Sequence, residues 1–303
     1  MGESGPARRA EHPSRLLSFA LALSLLALFF FSLFTAGGAS SLGIQLTPTA
    51  LWYLPLVEAH RTCPSASTNE YESGTAYQYD VDDPVRPAYD HADKNIELRG
   101  YAANTEPDLR RDLVNYGCDD DKAPQFATAF SPPRVPALVG FHRVHHWEWR
   151  DSPDPGARAG PILWPPVTAL GLQTAPGETL CVPESGYTIG GGMEVLVLFA
   201  DADTVALRYT RHDSSAPPGY TLHIDNICTD PNLLALYEEL DDADGPRYDY
   251  PNHSYALPNL RAGQPLGVAR GDETVFAVAD TGTFQDPRSL NEFWRVRPGY
   301  PAR

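Results

Sequence analysis

The feature that most limits this chain is how often it must turn. Proline, glycine and aspartate interrupt it at short intervals, and with 29 prolines and 24 glycines in 303 residues there is little room for long helices. The stretch PGETLCVPESGYTIGGG, residues 176–192, shows the pattern. Turn formers at 176–177, 183–186 and 190–192 leave only short runs such as 179–182 free to be extended. Beyond Pro161, MEVLVLFA, TVALRYT and YTLHID read as strands and NLLALYEEL as a short helix or turn. The expectation is a mainly β protein with few helices.

Composition bounds the partners. Acidic side chains number 39 against 23 basic ones, a formal charge of −16. That charge repels phosphate backbones, whose binding needs clustered Lys and Arg, so nucleic acid is a poor partner. Apolar residues make up 42% of the chain, enough for a proper core.

The N-terminus points to a membrane. Arg8, Arg9 and Arg15 precede LLSFALALSLLALFFFSLF, residues 16–34, which carries no charge and is followed by the small residues TAGGASS. As a helix this segment spans about 28 Å, close to a bilayer core. Residues 1–41 therefore read as a signal peptide, cut near Gly37 or Ala39, or as a retained N-terminal transmembrane anchor with its basic end cytoplasmic; the segment's length favours the anchor. In both cases the remaining chain is extracytoplasmic, secreted or membrane-anchored. There Cys63, Cys118, Cys181 and Cys228 favour two disulfides, and four cysteines allow three pairings. No pair has the Cys-x-x-Cys spacing of a zinc site.

Along the chain, 42–67 reads as a linker with an apolar patch at 52–57. Residues 68–160 read as an irregular, acidic, β-containing extension, with clusters at Asp80, Asp82, Asp83 and at 119–121. Residues 161–303 read as a compact β-domain, and no internal repeat is visible.

The histidines are what a metal or a general base would use. His142, His145 and His146 lie in FHRVHHWEW, whose alternation suggests a strand; His142 and His146 then share a face and His145 lies opposite. A single metal would need all three to converge. His91 with Asp93 could be a ligand or acid–base pair, although a turn capped by Asp90 or Asp93 accounts for the same residues. Asp241 opens an acidic run, DDADG, that lacks the alternating ligands and later glutamate of a calcium loop, so it reads as solvated loop. Arg270-Gly271-Asp272 spells an adhesion tripeptide and Asn252-His253-Ser254 a glycosylation sequon; both are short enough to arise by chance. No Gly-x-Ser-x-Gly elbow, phosphate-cradling glycine loop or His-Glu-x-x-His helix occurs.

Four blocks share an order with one known family. LGLQTAPGETLCVPESGYTI, GYTLHIDNICTDPNLLALYEEL, LPNLRAGQPLGVARG and VFAVADTGTFQDP together resemble successive segments of lysostaphin-type (LytM-like) zinc endopeptidases, which cut peptidoglycan cross-bridges. Gly177, Pro183, Gly186, Gly263, Gln264, Gly267, Gly271, Gly282 and Asp286-Pro287 are in step with that pattern, over roughly residues 167–287. The resemblance implies a lysostaphin-like β-barrel, a duplicated hybrid motif, for 161–303. It also implies a zinc held by three side chains with an open position for water. The ligand and base positions fall on Val167, Gly171, Glu239, Glu273 and Val275, none of which is the histidine or aspartate the family uses. With those positions replaced, the resemblance implies a peptidase-like pseudoenzyme with no cofactor. It further implies Cys181 paired with Cys228 on strands of one barrel, leaving Cys63 and Cys118.

The functional expectation is a non-catalytic module of the cell envelope that binds a peptide, peptidoglycan or a partner hydrolase, with its acidity favouring a cationic ligand. Two alternatives stand: an active zinc hydrolase drawing ligands from His91, Asp93, His142, His145 and His146, or a structural surface module.

Overall fold

The computed structural model describes residues 63–77, 87–117, 120–151, 154–244 and 254–296, with backbone alone at 242–244 and 254. In chain order its strands are β1 (Glu72–Tyr77), β2 (Tyr101–Ala103), β3 (Leu138–Glu148), β4 (Ala157–Pro161), β5 (Ala169–Gln173), β6 (Thr179–Cys181), β7 (Val195–Ala200), β8 (Thr204–Arg208), β9 (Tyr220–Asp225), β10 (Ile227–Thr229), β11 (Ser254–Leu260), β12 (Pro265–Ala269), β13 (Glu273–Asp280) and β14 (Thr283–Phe284). The helices are α1 (Ile96–Arg99), α2 (Pro231–Asp244) and α3 (Leu290–Phe293). The protein is mainly β, in line with the spacing of its turn formers.

Eleven strands form one sheet, ordered β1-β11-β7-β8-β9-β13-β5-β3-β2, with β14 on β13 and β4 on β3. The barrel expected from the peptidase resemblance is not formed, because β1 and β2 remain as separate edges. Closure would need those two strands to exchange backbone hydrogen bonds. Instead the end of β1 bonds to the chain after β8, Tyr77 N–H to Arg211 O and Asp213 N–H to Tyr77 O. A second sheet, β10-β12-β6, packs beside β8. Strands from both sides of Pro161 share the large sheet, with β3 paired to β5 from Leu138 to His142. The change of sequence texture at Pro161 therefore marks no break in the β-structure.

β13 lies between β9 and β5 and is buried on both faces, which explains its unbroken apolar run. Phe276 and Val278 enter the main core with Leu170, Leu172, Leu222 and Ile224. Val275, Ala277 and Ala279 join a smaller cluster with Ile96, Val144 and Phe284 on the opposite face. β13 turns into β14 through Thr281 (φ 48°) and Gly282 (φ 79°), the two positive angles that a tight hairpin requires. α2 lies against β11 and β7, with Tyr237 edge-on to Phe199 and its hydroxyl donating to Leu198 O at 3.2 Å. Its start is capped by Asp230, whose Oδ1 accepts from Asn232 N–H at 2.9 Å. The acidic run that begins at Asp241, expected as solvated loop, is the last turn of α2 as far as Asp244.

The cysteine pairing also differs from expectation. Cys63 is bonded to Cys228, with Cα atoms 5.2 Å apart, and Cys181 is a free, buried thiol. Cys181 sits on β6 and Cys228 on β10, on opposite sides of β12. Two strand spacings come to about 9.6 Å, beyond the ~7 Å Cα separation that a disulfide bridges. Cys118, the leader at 16–34 and the linker residues before Cys63 lie outside the described residues. Among the described residues no helix is long and apolar enough to cross a membrane.

Candidate functional site

The polar groups that converge do so on the sheet face that carries the smaller apolar cluster. At its centre are two glycines in register, Gly140 on β3 and Gly171 on β5, with Val275 of β13 opposite Gly171. Lacking side chains, they leave a notch into which the Glu273 carboxylate folds. A Cβ added to Gly171 would come within 2.7 Å of both Glu273 Cδ and Gly140 Cα. From this notch Glu273 Oε1 reaches His142 Nε2 at 3.3 Å. The His142 ring meets Tyr101 of β2 edge-on, with centroids 5.1 Å apart. Tyr101 in turn donates to Asp225 Oδ2 at 2.5 Å.

Asp225 closes β9 and holds the strand ends together. Its Oδ1 accepts from Thr204 Oγ1 at 3.0 Å and from Asn226 N–H at 2.7 Å. Asn226 has φ 63°, a left-handed conformation that asparagine tolerates better than most residues, and its side-chain amide donates to Glu273 O. Next to this row lie Asp201 and Asp203, in the turn between β7 and β8, and Glu97 of α1. Asn95 caps α1, its Oδ1 accepting from Glu97 N–H at 3.0 Å and Leu98 N–H at 3.1 Å. Glu97, Asp201 and Asp203 each present an oxygen within 4.8 Å of the others; among the described residues no other group of three His, Cys, Asp or Glu does so. Arg270 pairs with Asp203.

Burial, with neighbouring carboxylates adding to it, raises Glu97, Tyr101 and Asp201. Partial burial, then Asp203, Asp201 and Asp225, push the Glu97 carboxyl up to about 7, while Arg270 pulls it down. Burial raises Asp201, against the backbone N–H groups that it accepts. Burial, followed by Asp225, holds the Tyr101 phenol far above its usual range. The result is a recess in which several carboxyl groups converge, Glu97 among them, and in which the network already contains one cation, Arg270.

The residues expected from the peptidase resemblance are brought together only in part. Gly171, Glu273 and Val275 meet at the notch. Val167 lies fully buried in the main core, and Glu239 is exposed on α2, against β11 and β7, at least three strands from β13. These five positions do not line one groove. Nor do the alternative metal residues share a centre. His91 packs edge-on against Trp149 at 5.0 Å, and Asp93 pairs with Arg99. His145 Nδ1 lies 2.8 Å from Ala159 O, and His146 is exposed on the far part of β3. Only His142 joins the recess. Sequence reasoning missed Tyr101, Glu97, Asp201, Asp203 and Asp225. Its nearest signals were the Asp201-x-Asp203 pair and Arg270, read there as part of an adhesion tripeptide.

A separate groove of ≈ 480 Å³ runs beside the disulfide, walled by Pro64, Ser67, Asn69, Asp230 and Val268. Its one carboxylate, Asp230, is already engaged by Ser67 Oγ at 2.6 Å and Asn69 Nδ2 at 2.7 Å. The carboxylate recess is therefore the better candidate site. Comparison of the chain with protein-family models, with curated proteins and with solved structures finds no match, so its architecture and its recess are what describe it.

Proposed function

We propose that the protein is an extracytoplasmic binding module of the cell envelope whose acidic recess takes a cationic group, such as a lysine or arginine side chain or an amine of a peptide, of peptidoglycan or of a partner protein. The observation that carries this reading is the convergence of Glu97, Asp201, Asp203, Asp225 and Glu273 from α1, the β7–β8 turn, β9 and β13, with Arg270 the cation already among them. An entering cation relieves repulsion that is already present, so binding gains more than an isolated surface pair would. The Cys63–Cys228 bond supports an oxidising compartment, as does the apolar leader. Kinship with lysostaphin-type endopeptidases belongs to the same proposal. Its support is the order of the four sequence blocks; the open sheet and the positions of Val167 and Glu239 weigh against it, so the binding role rests on the recess alone.

Purified protein incubated with isolated peptidoglycan sacculi and with a penta-lysine peptide tests the proposal. Retention that falls with added salt and with Asp201→Asn supports it; no retention on either probe overturns it. Stoichiometric divalent metal in the purified protein, together with release of muropeptides, would favour a hydrolase instead.

A further inference from the structure

At the other end of β9 from the recess, Tyr220 is buried with its hydroxyl between two carboxylates, 2.8 Å from Asp120 Oδ2 and 2.9 Å from Glu292 Oε1. A phenol carries one proton and can donate to one of them. Both contacts are hydrogen bonds only if a second proton is shared, as in the chain Glu292 O–H to Tyr220 Oη and Tyr220 O–H to Asp120. We propose that Asp120, Tyr220 and Glu292 form a proton-sharing latch, closed when Glu292 is protonated and loosened when it ionises, which fastens residues 120–125 and α3 to β9.

The surroundings fit that role. Burial raises Glu292, Asp120 and Asp280 raise it further, and the bond from Tyr220 opposes them. The charged and titratable groups around the latch come from each neighbouring element. They are Asp280, the cross-strand partner of Tyr220 on β13; Arg208 on β8; Tyr187, whose ring is 6.4 Å from that of Tyr220; and Lys122, which lies over Tyr187. Ionising Glu292 therefore adds charge beside Asp120 and Asp280 and removes one donor. The two segments are also tied to each other through Gln125, whose amide donates to Glu292 O at 2.8 Å and accepts from Arg295 N–H at 2.9 Å. Loosening the latch thus reaches Arg295 and Val296, whose backbone N–H groups both donate to Gln125 Oε1. Because the folded carboxyl is raised, the latch is fully closed below the ordinary Glu range and is lost as pH rises through the raised value.

Hydrogen exchange of the full-length protein between about pH 4 and pH 8, corrected for intrinsic rates, tests this. Protection at 120–125 and 290–296 is expected to fall roughly tenfold with rising pH, the size of one lost hydrogen bond. In Glu292→Gln the amide donates at every pH and the slope is expected to vanish; an unchanged slope overturns the latch. Carboxyl NMR of the wild-type protein supplies a readout without substitution. Glu292 must titrate in step with the loss of protection, and titration of Asp280 alone in that window would also overturn it.

Discussion

Replacing Gly171 by alanine probes the recess at its floor. The new methyl would lie 2.7 Å from Glu273 Cδ and 2.7 Å from Gly140 Cα, both well inside van der Waals contact. The carboxylate can swing away; the Gly140 backbone, paired in register on β3, cannot move without disturbing the sheet. Overpacking of this kind costs about 1–3 kcal/mol. Lower entropy of the unfolded chain returns about 0.4–1 kcal/mol, for a net loss of roughly 0.5–2 kcal/mol. In a domain this large that lowers Tm by a few degrees at about 2–4 °C per kcal/mol. Urea unfolding of G171A, of G160A as a control with open space around it, and of G171A with E273A separates the two clashes. Most of the loss should persist with E273A, because the Gly140 contact remains. The mutant should also lose the His142–Glu273 contact, visible as changed chemical shifts of the His142 ring. Stability equal to that of wild type, with an unchanged His142, would refute the notch.

The same geometry sets other outcomes. Cys63→Ser opens a 165-residue separation and is expected to cost about 2–5 kcal/mol, whereas Cys181→Ser leaves the disulfide intact by peptide mapping. Trp294→Ala removes a fully buried ring that lies edge-on to Phe126 at 5.5 Å and donates to Pro287 O at 2.8 Å; chemical denaturation should show a loss of about 3–5 kcal/mol. Binding of a cationic peptide should weaken as pH falls through about 7, where Glu97 takes up its proton, and Glu97→Gln should flatten that dependence in a calorimetric titration. The stability sign is the reverse. The raised Glu97 favours the fold below the ordinary Glu range and loses that effect as pH rises through about 7.

The strands β7, β8 and β9 were legible because each is a short apolar run bounded by Asp, Gly or Pro. The alternation around His142 was legible too, since it is set by the two-residue period of a strand. The partner of His142 was not, because Glu273 lies 131 residues away and nothing local joins them. The same holds for Tyr101 and Asp225, 124 residues apart. Each acidic residue of the recess looks like ordinary surface charge until four separate segments bring them together. The disulfide was misread for a topological reason: Cys181 and Cys228 do lie on strands of one small sheet, but β12 runs between them and they face it at different heights, Cys181 opposite Pro265 and Cys228 opposite Val268. Arg270 is held by Asp203 at the recess, a role of which its tripeptide, short enough to arise by chance, gives no sign.

The most direct measurement is the affinity of a penta-lysine peptide for the wild-type protein and for Glu97→Gln/Asp201→Asn, by calorimetry at pH 8 and two salt concentrations. Removing two of the converging charges is expected to weaken binding about tenfold at low salt, about 1.4 kcal/mol in total or ~0.7 kcal/mol per charge, with a smaller difference at high salt. Equal affinity in the two proteins would contradict the claim that the recess is a cation-binding site.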